Sequence, residues 1–151
     1  MPRLIALILA ATLPSATASA PTAAAPPPSM DPVAAAALST SVRLIEEDRY
    51  CEALPYLEVL ALDLPKNADV FSMLGYVHRK MDDLDVSAAN YAHALALDPN
   101  HLGALEYQGE LFLQTGDTSR AKANLARLET LCGACEEKRQ LEAAIRDRKE
   151  Q

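Results

Sequence analysis

Side chains recur at an interval of 34 residues and stay in phase over three successive stretches of this chain. Gly75 and Gly109 stand 34 apart, and so do Pro65 and Pro99. The same step links Ala53, Ser87 and Ala121, then Leu57, Tyr91 and Leu125, then Leu60, Ala94 and Leu128, and also Leu44, His78 and Phe112. One match would carry little weight. A set of small and large positions in phase means that one structural unit is used three times. The spacing inside the unit is helical: Val70, Leu74, Val77 and Met81 fall at i, i+4, i+7 and i+11, an apolar stripe along one face. Between Asp85 and Leu97, small Ala88 and Ala92 are interleaved with Tyr91 and Leu95, and small residues let helices approach closely. Asp82-Asp83-Leu84-Asp85 reads as the turn between two helices, with acids at the N-cap. Without a central glycine and a distant glutamate it does not read as a calcium loop. Pro55 is expected in the first turn of its helix, where a missing N–H costs little.

The middle unit, 68–101, carries Phe71-x-x-Leu74-Gly75-x-x-His78, then Ser87-x-x-x-Tyr91, Ala94 and Leu97-Asp98-Pro99-Asn100. This pattern resembles the tetratricopeptide repeat. The third unit, 102–135, keeps Gly109, Phe112, Gly116-Asp117, Ala121 and Leu125, with Gly133 in place of the closing proline. The first, 34–67, keeps Ala53, Leu57 and Pro65 but has Ser41 at the glycine position. The fold expected is therefore all-α, an α-α solenoid of three helix pairs. Residues 136–151 place Leu141, Ala144 and Ile145 on one side of a charged helix, which suits a cap over the last pair. The resemblance implies a protein–protein interaction module whose concave groove is lined by the first helix of each pair. Carried onto this sequence, that face holds Leu38, Val42 and Ile45, then Ser72, Tyr76, Arg79 and Lys80, then Glu106, Glu110 and Leu113. It lacks the Lys and Asn pairs with which some relatives clamp a terminal carboxylate. A peptide with both apolar and charged side chains is the expected occupant, with cover by the chain's own tether or by a second copy as the alternative.

Composition agrees with helices. Half the residues are apolar but only 5% are aromatic, there is no Trp, and five glycines are few for a strand-and-turn architecture. The net charge of −7 argues against nucleic acid and against anionic membrane surfaces. The chain opens Met1-Pro2-Arg3, runs through ten mostly apolar residues from Leu4 to Leu13, and reaches small-x-small sites ending at Ala18 and Ala20. That is the layout of a secretory signal peptide, with cleavage expected after Ala18. The apolar run is about half of what spans a bilayer, so no membrane insertion is expected once it is removed. Residues 19–33, rich in Ala and Pro, read as a tether. An exported protein of the bacterial periplasm is the expected setting.

Catalysis finds little footing. His78, His93 and His101 form no zinc-protease spacing, no nucleophile elbow is present, and no glycine-rich loop could cradle phosphate. His78 is expected as a packed, hydrogen-bonded interior side chain. Neither an enzyme nor a cofactor is expected. Cys132-Gly133-Ala134-Cys135 joins the third unit to the cap. In an exported protein such a pair serves as a structural disulfide; a thiol-redox or metal-handling accessory is the alternative use. Cys51 is expected as a small buried hydrophobe.

Overall fold

The computed structural model of the chain describes residues 31–149. The expected signal peptide, 1–18, and all but the last three residues of the expected tether lie outside them. Within them the chain is an all-α solenoid of seven helices: α1 (Pro32–Glu46), α2 (Tyr50–Asp63), α3 (Ala68–Lys80), α4 (Leu84–Leu97), α5 (Leu102–Gln114), α6 (Thr118–Cys132) and α7 (Glu136–Lys149). Helices α1–α2, α3–α4 and α5–α6 form antiparallel pairs, each pair packs on the next, and α7 packs on both α5 and α6. No described helix is long and apolar enough to cross a membrane.

The 34-residue period reappears in the backbone. The turns within the three pairs place Asp48, Asp82 and Gly116 at positive φ, at 56°, 63° and 87°. In each turn the next N–H reaches back across the helix end: Arg49 to Leu44 O (2.8 Å), Asp83 to His78 O (2.9 Å) and Asp117 to Phe112 O (2.7 Å). This is a helix stop in which a left-handed residue lets the chain satisfy the last carbonyls. Aspartate tolerates that conformation and glycine adopts it freely.

Caps start the helices. The Asp31 carboxylate accepts from Val33 N (2.7 Å) and Pro32 occupies the first helical turn, so α1 begins inside the expected tether, two residues ahead of the first unit. Asn67 accepts from Val70 N (3.2 Å) and His101 Nδ1 from Ala104 N (3.0 Å). Asp117 accepts from Arg120 N (3.0 Å), and that bond, followed by those from Ser119 and the Arg120 side chain, holds its carboxyl down at about 2. Asp83 departs from this. It sits at the N-cap of α4 without a capping bond, its carboxylate instead lying 3.3 Å from Nδ1 of the half-buried His78. Pro55 also departs from expectation. Helix α2 begins at Tyr50, so Pro55 is its sixth residue and lies inside the helix, past the first turn.

Two glycines fix how closely the helices meet. A Cβ on Gly75 would lie 2.6 Å from the Tyr91 ring, so α3 and α4 touch there, and Ser87 Oγ donates to Gly75 O nearby (2.8 Å). The equivalent Gly109 is close to a different partner: its Cβ would lie 2.6 Å from Leu141 of α7. The cap therefore uses the repeat glycine of the third unit as its seat. Leu141 and Ile145 are buried there among Leu105, Leu113, Ala121 and Leu128, with Ala144 packed alongside. Cys132 and Cys135 are joined across the connection from α6 to α7, where Gly133 adopts φ +64°. Cys51 is exposed, contrary to expectation. The buried row of α2 is Ala53, Leu57 and Leu60, and a residue two positions before Ala53 points away from it.

Candidate functional site

The first helices of the pairs, α1, α3 and α5, share an open face. A pocket of about 320 Å³ on it is lined by Val42, Ile45, Glu46 and Asp48 from the first unit, Met73 and Tyr76 from the second, and Tyr107 from the third. Tyr76 is the centre. Its ring lies 6.1 Å from that of Tyr50 and 5.0 Å from that of Tyr107, so one aromatic row crosses three units. The buried Tyr91 continues the row inward, 6.5 Å from Tyr107. Lys80 Nζ lies over the Tyr50 and Tyr76 rings, at 5.7 and 5.8 Å, and the Arg79 guanidinium is 5.4 Å from the Tyr76 centroid. A cation over an aromatic face is attracted by the ring quadrupole and stiffens the row. Tyr50 is held by a hydrogen bond from its hydroxyl to the Asp48 carboxylate.

Of the ten residues expected to line the groove, the structure brings Val42, Ile45 and Tyr76 into this pocket and leaves Lys80 exposed at its edge. The others are placed differently. Leu38 packs against the N-terminal core, as Ile45 also does in part. Ser72 and Glu106 are 3% exposed and Leu113 is 6% exposed, so none of the three offers a side chain to a partner across the pocket. The reason is rotation. Helix α3 packs on α2, α4 and α5, and the row containing Ser72 and Glu106 is turned into the stack. The next row, Met73 and Tyr107, faces the groove. Those two are also 34 apart, which is the signal by which they could have been found.

Arg79 and Glu110 serve the stack itself. The guanidinium, 13% exposed, donates to Glu110 Oε2 at 2.5 Å and ties the second unit to the third. His101, the N-cap of α5, joins α5 to α3 through its Nε2 and Asp69 (2.9 Å), and Gln114 with Asp82 (3.1 Å) joins α5 to the turn after α3. Arg79, Glu110 and Leu113 border a separate hollow of about 310 Å³, closed on its other side by Ala144, Asp147 and Arg148 of α7. Glu106 lies between these regions. Its Oε1 is buried without a partner, and burial, followed by the negative charges of Glu110 and Glu137, pushes its carboxyl up to about 8. It is therefore a neutral acid at pH 7. Among the described residues no three His, Cys, Asp or Glu side chains come together to hold a metal ion.

No family model and no curated protein sequence matches the chain. Solved structures do. The chain is similar to MamA (residues 41 to the end) from Desulfovibrio magneticus RS-1, at 22% identity and TM-score 0.61, over 64% of this chain and 55% of that one. It spans little more than half the length of that MamA chain. It is similar to the type III secretion chaperone SycD from Yersinia enterocolitica, solved in complex with a peptide of the translocator YopD, at 18% identity and TM-score 0.68, over 80% and 92%. The fold is TPR-like. A third likeness is to the first TPR of Spaghetti (RPAP3) bound to the HSP90 peptide SRMEEVD, at 15% identity and TM-score 0.68, over 78% and 90%. At these identities the TPR-like likeness speaks to the fold alone.

Proposed function

We propose that the chain is an exported, TPR-like adaptor or assembly factor that holds a segment of a partner protein in the groove of α1, α3 and α5, and that it is not an enzyme. The observation that carries this reading is the row Tyr50, Tyr76 and Tyr107 beside an open pocket. Tyrosines offer a large contact area and a polar tip at modest entropic cost, which is why they dominate binding surfaces. Lys80 stands on one edge of the row, and Glu46 at the end of α1 and Asp48 in the turn after it line the wall. An apolar or aromatic side chain would fill the pocket, and a basic neighbour would meet Glu46 and Asp48. A peptide as acidic as the SRMEEVD seen with RPAP3 would bring like charges to that wall. Peptide complexes of SycD and RPAP3 support the choice of a peptide segment as ligand class.

Export rests on the Met1–Ala18 layout, and an intact mass that begins at Ser19 would support it. For the groove, the protein is used as bait in a periplasmic extract beside Tyr76→Ala/Lys80→Ala. Both side chains are outside the stack's polar ties, so helicity should hold, with melting lowered only by loss of the Tyr76 ring contacts, while capture falls. Arg79 is avoided because it holds Glu110. An identical set of captured proteins from both baits would sink the proposal.

A further inference from the structure

The two ends of the solenoid are finished differently. At the C-terminal end α7 covers α5 and α6; at the N-terminal end α1 has α2 as its main neighbour. Along the outer side of that pair, Val33, Ala36 and Ala37 of α1 and Pro55, Tyr56 and Val59 of α2 line a shallow groove of about 580 Å³. Val33 is 77% exposed and Val59 53%; Leu62, three residues on, is 81% exposed and lengthens the strip. No charged residue lines the groove, on a chain whose net charge is −7. Glu52, near its edge, is already neutralised by a two-pronged bond from Arg49 (2.8 and 2.6 Å). The exposed Cys51 stands one helical turn before Pro55, on the border of the same face.

We propose that this face is the contact between two copies of the chain, related by two-fold symmetry. In such a contact the same patch meets itself, so like charges would be brought together anywhere on this acidic surface except where the patch is neutral. Each copy's α1–α2 pair then does for the other what α7 does at the opposite end, covering an apolar face that a stack of repeats leaves open. Size sets the strength. The 15 residues of α1 run about 22 Å, and two adjacent helices are about 20 Å across, so the face measures roughly 450 Å² in plan. That is below the ~800 Å² per partner of a standard stable interface, and the dimer therefore forms reversibly and with concentration. None of the residues lining the tyrosine pocket lines this groove, so the proposal stands or falls apart from the binding reading.

Sedimentation velocity on the purified chain, from low micromolar concentration upward, tests it together with a short bis-maleimide. Cys51 is the one unpaired cysteine in the chain, so a cross-linked product has one origin. Mass should move from one chain towards two, and Cys51 should couple to Cys51. Val33→Glu and Val59→Glu, on different helices, should each weaken association roughly tenfold or more with circular dichroism and melting unchanged. A single-chain mass at every concentration overturns the proposal, and so does a dimer that survives both substitutions. If the full chain is monomeric and removal of residues 1–30 makes it dimeric, the segment leading into Asp31 covers the face, and that too overturns it.

Discussion

The first and third helix pairs descend from the same 34-residue pattern, yet they are held by different means. The third pair is tied to the second by Arg79–Glu110, His101–Asp69 and Gln114–Asp82, and α7 covers it with Leu141 seated on Gly109. The first pair meets the second through apolar packing of Leu57, Leu60, Val70 and Leu74 and through the Tyr50–Tyr76 contact, and among the described residues nothing covers its outer side. Period alone therefore does not decide stability in a stack. What matters is whether each apolar face has a neighbour, and whether polar side chains fix the angle between neighbours.

Removing the side chain by which the cap is seated should have the largest effect. Leu141→Ala takes a fully buried side chain from between α5, α6 and α7 and should cost about 3 kcal/mol in denaturant unfolding. If the C-terminal end is the better-finished one, this variant should also expose it: hydrogen exchange of α6 and α7 should rise towards that of α1. An unchanged exchange pattern would mean that the cap is incidental. Glu106 offers the next effect, in the opposite direction. Its folded carboxyl titrates near 8 against an ordinary value of 4.5 in the unfolded chain. Between those pH values the unfolded chain releases the proton and the fold keeps it, so stability falls as pH rises from about 4.5 to about 8 and levels off above. Glu106→Gln removes that slope and should raise the melting temperature at pH 7.5 while leaving it little changed near pH 4.5, read from melts across pH. Reducing Cys132–Cys135 should have the smallest effect. The closed loop is very short, so the loss is about 2 kcal/mol at most, and the helices should persist. A protein that unfolds on reduction would show the cap to depend on the bond more than on Leu141.

Much of this was legible in the residues. The pairs, the turns and the closing helix follow from recurrences such as Leu57–Tyr91–Leu125 and from the stripe Val70–Leu74–Val77. Even the left-handed turn residues, Asp48, Asp82 and Gly116, keep the period. The groove was legible only in part. Tyr76 was visible, but Ser72 and Glu106 belong to a row turned into the stack, one residue from Met73 and Tyr107, which face out. One residue is about 100° on a helix, and a helix flanked by neighbours on two sides leaves a narrow free stripe. Tyr50 was hidden for another reason: it begins a second helix, and its ring reaches the groove only because the turn after α1 folds it back. The burial of Glu106 could not be read either, since an acid at a helix position looks solvated until its neighbours are placed.

The account's central claim is that a partner segment lies on the tyrosine row. Once a partner segment has been identified, calorimetric titration with that peptide into wild-type protein and into Tyr76→Ala/Lys80→Ala tests it most directly. The account predicts binding weakened roughly tenfold or more, with the free variant still fully helical and folded at the temperature of the titration. Equal affinity for both proteins would place the binding site elsewhere on the molecule.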